Sequence, residues 1–107
     1  MIDITVMDGD KGYKSLKCAG HADYDEYGKD VVCSAVSMLV INTVNGIEKL
    51  TDTVLKVTNS NSKDGMLEVV FPNETGKDAT LLIDSMILGI KYVIKEYGDG
   101  FVSLKIM

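Results

Sequence analysis

A histidine and a cysteine stand twelve residues apart in the segment Gly20-His21-Ala22-Asp23-Tyr24-Asp25-Glu26-Tyr27-Gly28-Lys29-Asp30-Val31-Val32-Cys33-Ser34-Ala35. His21 is the only histidine of the chain and Cys33 is one of its two cysteines. Together they suit nucleophilic catalysis. A thiol attacks at neutral pH as the thiolate, and a helix N-terminus or a neighbouring imidazole favours that form. The apolar run after Cys33 places it at the first turn of a long helix. By position alone Cys33 is balanced between a nucleophile and a small buried core residue, since free cysteine often behaves as the latter. His21, between the small residues Gly20 and Ala22, tips the balance. Taken alone, His21 reads better as an ordinary surface or satisfied histidine. The eleven residues between them, with Gly28 among them and Gly20 just before His21, are ample chain to bring imidazole and thiol together.

Other residues of the segment are candidates for supporting parts. Asp23, Asp25, Glu26 and Asp30 could each orient the imidazole, and the sequence does not choose among them. Asp30, just before the apolar run, is first of all a helix N-cap candidate. The amide of Ser34 is a candidate oxyanion donor, although an early-helix hydroxyl explains Ser34 and Ser37 better. Gly20, Ala22, Asp23, Tyr24, Tyr27 and Gly28 form a polar, glycine-bounded stretch with the composition of a substrate-contacting lid. Cys18 alternates with Leu16 and is expected to face the core. A Cys18–Cys33 disulfide is disfavoured in a reducing compartment. Cys18, His21, Cys33 and an aspartate can be drawn as a zinc set, but the spacing is not that of a paired zinc ribbon. No metal and no cofactor is expected.

The elements that must position these residues follow from periodicity. Ile2, Ile4 and Val6 alternate with polar residues in a first strand, Asp8 to Gly12 turns, and Tyr13 to Ala19 returns. A helix is expected from Val31 to Leu50, with Val36, Leu39, Val40, Val44, Ile47 and Leu50 on one face. Gly46 lowers its propensity without ending it. Val54 to Thr58 reads as a strand, Asn59 to Gly65 as a polar turn, and Met66 to Phe71 as the return strand, stopped by Pro72. A second helix covers Lys77 to Glu96, with Leu82, Met86, Ile90, Val93 and Tyr97 on its main face, and Tyr97-Gly98-Asp99-Gly100 ends it. Val102, Leu104 and Ile106 alternate in a last strand. The order ββαββαβ with two tight hairpins predicts one α+β domain over residues 1–107. In it a mostly antiparallel sheet carries both helices on one face.

Composition narrows the function classes. Of 107 residues, 46% are hydrophobic and 25% charged, which is ordinary globular usage. A net charge of −5 disfavours nucleic acid and favours a basic peptide partner. The chain opens like a strand rather than a secretory leader. Asp84, Lys91 and Lys95 interrupt the apolar stretch of the second helix, so no membrane span is expected. Free thiols suit a cytoplasmic protein. Leu81, Ile83, Ile87, Leu88, Tyr92 and Ile94 give the second helix more apolar surface than one sheet contact needs, which predicts a homodimer.

The quoted segment resembles the signature of the ribosomal-processing cysteine proteases of the Prp family: Gly-His-Ala, an acidic and aromatic loop, then Gly-x-Asp-[Ile/Val]-Val-Cys-[Ala/Ser]-[Ala/Gly]. Val44-Asn45-Gly46-Ile47 matches the family's Val-Asn-[Gly/Ala]-[Leu/Ile]. The resemblance implies a homodimeric α+β fold. It also implies removal of a short N-terminal extension from large-subunit ribosomal protein twenty-seven, with the cut after an aromatic residue. On this resemblance Cys33 is the nucleophile, His21 the histidine, and Asp30 the family's aspartate, as cap or third member. The alternatives are a non-catalytic ribosome-assembly factor that grips a basic tail, and a redox sensor forming sulfenic acid at Cys33.

Overall fold

The computed structural model describes residues 1–20, 29–61 and 65–107, and of Lys29 and Asp30 the backbone only. The described residues form β1 (Ile2–Asp8), β2 (Tyr13–Ala19), α1 (Lys29–Leu50), β3 (Lys56–Asn61), β4 (Met66–Val70), α2 (Lys77–Tyr97) and β5 (Val102–Ile106). The order ββαββαβ is the one predicted. The strands make one mixed sheet, β3-β4-β2-β1-β5, antiparallel throughout except for the parallel pair β1 and β5.

One core lies between sheet and helices. Alternation sends Ile2, Ile4 and Val6 of β1 inward with Leu16, Val69 and Val102, while Asp3 and Lys17 face out. Against them α1 lays Val32, Val36, Val40, Val44 and Ile47, and α2 lays Ala79, Ile83, Met86, Ile90 and Val93. Leu50 and Tyr97, expected on the buried faces, are exposed, and each is the last residue of its helix.

The far end of the fold is fastened by polar contacts. The Tyr13 amide donates to Thr75 Oγ1 at 2.8 Å, and the Gly76 amide to Thr53 Oγ1 at 3.0 Å. Glu74, at φ 60°, accepts the Lys11 and Gly12 amides at 2.8 and 3.1 Å, which holds its carboxylate below the usual range. The Gly98 amide returns to the Ile94 carbonyl at 2.8 Å with φ 91°, which ends α2 where predicted.

Three expectations are corrected. First, α1 begins at Lys29 rather than Val31, so Asp30 is the second residue of the helix and not its cap. Second, β3 runs Lys56–Asn61, and Asn59 to Asn61 belong to the strand rather than to the turn. Backbone pairing with β4 holds this polar edge, and a register shift between Val57 and Asn59 breaks the alternation a reader would look for. Third, Val31–Leu50 is by itself long and apolar enough to cross a membrane, with mean hydropathy 1.5. Its charges, Glu48 and Lys49, lie at its end, and its inward stripe is the core just described.

Candidate active site

Cys33 is the fifth residue of α1. It sits at the border between the buried stripe of Val32 and Val36 and the exposed face of Val31, Ser34 and Met38. Helical side chains lean toward the N-terminus, so the thiol overhangs the first turn. A cavity of about 450 Å³ opens beside it. One wall is Cys33, Ser37, Val40 and Ile41, a single stripe of α1, and the floor is the end of the sheet.

Register explains the floor. Ser60 pairs with Leu67, Leu67 with Cys18, Cys18 with Ile4, and Ile4 with Leu104, so one row crosses all five strands. Cys18, Leu67 and Ser60 from that row line the cavity, with Asn61, Gly65 and Met66 beside them. Space exists here because β3 lies past the cover of the helices. Even Val57, paired with fully buried Val69, is exposed. Gly20 closes the rim at φ 98°, and a Cβ on it would lie 2.4 Å from the Met1 carbonyl oxygen. That position requires glycine.

The two thiols differ. Burial first, and then a charge on Cys33, pushes Cys18 up to about 11. Cys18 therefore remains a neutral thiol at physiological pH, and Cys33 is the candidate nucleophile of the cavity. Both cysteines are free. A larger cavity of about 900 Å³, lined by Lys11, Thr51 to Val54 and Asn73 to Thr80, carries no cysteine or histidine. It lies past the other end of α1, about 27 Å away at 1.5 Å per residue.

The remaining sequence candidates are placed as follows. His21, Ala22, Asp23, Tyr24, Tyr27 and Gly28 lie outside the described residues, as does the side chain of Asp30. Ser34 is exposed and off the cavity wall, where Ser37 stands instead. Only the first four amides of a helix are free, so the Ser34 amide, sixth in α1, is committed to the helix. This argues against Ser34 as an oxyanion donor. The same early start moves Cys33 out of the first turn, where the helix dipole acts most strongly. Among the described residues no group of three or more His, Cys, Asp and Glu gathers at metal-binding distance.

Sequence reasoning missed Cys18, Ile41, Ser60, Met66 and Leu67 as cavity residues. For Cys18 the signal was present: alternation gave the correct face, but the end of the helical cover is a tertiary fact.

A family model described as Cysteine protease Prp matches residues 1–102. The chain belongs to the cysteine protease Prp family. It is similar to the ribosomal processing cysteine protease Prp of Bacillus subtilis (strain 168), at 31% identity over 94% of this chain and 93% of that protein. It is also similar to the Prp of the same description from Staphylococcus aureus (strain Mu50 / ATCC 700699), at 30% identity over 92% of each. A crystal structure of an essential ribosomal processing protease Prp from S. aureus, in complex with a covalently linked product peptide, superposes with TM-score 0.85. That structure is 25% identical and covers 100% of both chains. The protein is thus a cysteine protease.

Proposed function

We propose that the protein is an endopeptidase that removes the N-terminal extension of large-subunit ribosomal protein twenty-seven, with Cys33 as nucleophile and His21 as general base. The observation that carries this is the apolar cavity beside Cys33. Val40, Ile41, Met66 and Leu67 make it a receptor for one large apolar side chain, and its volume of about 450 Å³ holds an aromatic ring with room to spare. A residue seated there brings its own carbonyl to the thiol.

His21 takes the Cys33 proton, the sulfur–carbon bond forms, and the peptide C–N bond breaks as the imidazolium protonates the leaving amine. Water then hydrolyses the thioester and regenerates the thiol. The net charge of −5 suits a lysine-rich ribosomal-protein tail. The reaction belongs in the cytoplasm, where ribosomes mature. Leu81, Leu88 and Tyr92, spaced on one face of α2 and 68, 71 and 63% exposed, supply a surface for the homodimer.

The test is cleavage of a peptide spanning that extension. The unmodified protein should cut once. Cys33→Ala and His21→Ala should each lose activity on the order of 10⁴-fold or more while keeping their thermal unfolding temperature. Tight binding without a cut would return Cys33 to packing and leave a factor that grips the tail. A fully active Cys33→Ala would refute the nucleophile.

A further inference from the structure

Cys18 has no place in the peptidase reaction, yet it lines the same cavity as Cys33. Both are free and half-buried, one on the sheet floor and one on the helix wall. Cys18 shares the inward-facing row with fully buried Ile4 and with Leu67, so its thiol points into the space toward which Cys33 leans.

We propose that Cys18 is the resolving thiol for an oxidised Cys33, closing a reversible Cys18–Cys33 disulfide across the cavity that switches the protease off. The inference rests on Cys33 as the reactive thiol of the proposed function. The oxidant is a hydroperoxide. The Cys33 thiolate attacks one peroxide oxygen, an S–O bond forms, the O–O bond breaks, and the other oxygen leaves with a proton as alcohol or water. Sulfur has then lost two electrons to the peroxide and stands as sulfenic acid. Cys18 attacks that sulfur, an S–S bond forms, the S–O bond breaks, and hydroxide departs as water with the Cys18 proton. A dithiol reverses the change.

The two environments suit these parts. Held as a neutral thiol, Cys18 is a poor target for peroxide. Burial is the larger cause that opposes its ionisation, and the nearness of Cys33 the smaller one, which is relieved when Cys33 becomes a neutral sulfenic acid. The chain has two cysteines, so no third thiol of its own competes for the sulfenic acid. The disulfide would occupy the floor on which the substrate side chain sits, so formation and inhibition are one event. It would also hold Cys33 short of sulfinic acid, which does not revert.

The experiment treats the reduced full chain with rising hydrogen peroxide, blocks thiols, and reads intact mass, non-reducing peptide maps and peptide cleavage before and after dithiothreitol. Each protein's activity is scored against its own reduced sample. The unmodified chain should lose about 2 Da, give a Cys18–Cys33 cross-linked peptide, and regain its cleavage on reduction even after excess peroxide. Cys18→Ala, with Cys18→Ser as a second variant against misfolding, should give no cross-link. In both variants a dimedone adduct should form on Cys33 at low peroxide, and after excess peroxide less than a tenth of activity should return.

Dimedone-trappable Cys33 without a cross-link in the unmodified chain would overturn the proposal. So would disulfide-linked pairs of chains, or variants that recover as fully as the parent. A cross-link in a chain that cuts nothing would sink the proposed function and leave the disulfide standing. Cleavage without any cross-link would do the reverse.

Discussion

Replacing Gly46 by alanine should stabilise the protein, and the same change at Gly89 should not. Both glycines lie inside helices at the contact between α1 and α2, where alanine is worth about 1 kcal/mol over glycine. At Gly46 the added Cβ meets Leu82 Cδ1 at 3.5 Å, an ordinary contact, so the propensity gain survives. At Gly89 it meets both Leu39 methyls at 3.1 Å, and Leu39 must move into a packed seam. Overpacking of this kind costs roughly 1–3 kcal/mol, which cancels the gain or exceeds it. With unfolding entropy of about 2.1 cal/mol/K per residue, this chain has about 0.22 kcal/mol/K in all. Gly46→Ala should therefore raise Tm by about 4 °C, and Gly89→Ala should fall at least that far below it. Differential scanning calorimetry of the two variants beside the parent reads both. Equal gains would show that the helices do not approach more closely at Gly89. A lowered Tm for Gly46→Ala would show that the Leu82 contact is tighter than described. The stabilised variant should cleave as the parent does, since Gly46 lies about 20 Å along α1 from Cys33.

Three further outcomes are expected. Tyr13 donates to Asp84 Oδ1, and that bond, with burial and the charges of Asp84 and Asp8, pushes the phenol up to about 12 from 10.0. Its folded pKa is the higher one, so its stabilisation is whole below pH 10 and is lost as pH rises through 12. Denaturant unfolding at pH 9 and pH 11 should show a larger loss for the parent than for Tyr13→Phe, and equal losses would discount the bond. Iodoacetamide at neutral pH should alkylate Cys33 well before Cys18, as mapped by peptide mass, because Cys18 is pushed up to about 11. Ile41→Ser should raise KM for an aromatic-containing peptide by about tenfold, with kcat and Tm little changed. It removes roughly 1.4 kcal/mol of apolar contact from a half-exposed position on the cavity rim. An unchanged KM would place the side chain of the substrate elsewhere.

The element order was legible because the deciding interactions are local. Ile2, Ile4 and Val6 alternate, Val36, Val40, Val44 and Ile47 recur at helical spacing, and Gly98 can take the left-handed backbone that stops α2. Polar β3 was misjudged for the opposite reason: its strand state comes from hydrogen bonds to β4, which no residue of Asn59-Ser60-Asn61 announces. The candidate thiol was also legible, since a cysteine before a long apolar run, with a histidine twelve residues upstream, is a statement about chain order. The cavity was not legible, because Ser37 and Ile41 meet Cys18, Leu67 and Ser60 only after the sheet register has been set and the helices have stopped short of β3. Chain order determined which thiol lies near the start of the helix. Tertiary packing decided that the second thiol shares its cavity, and burial there is the main reason that thiol stays neutral.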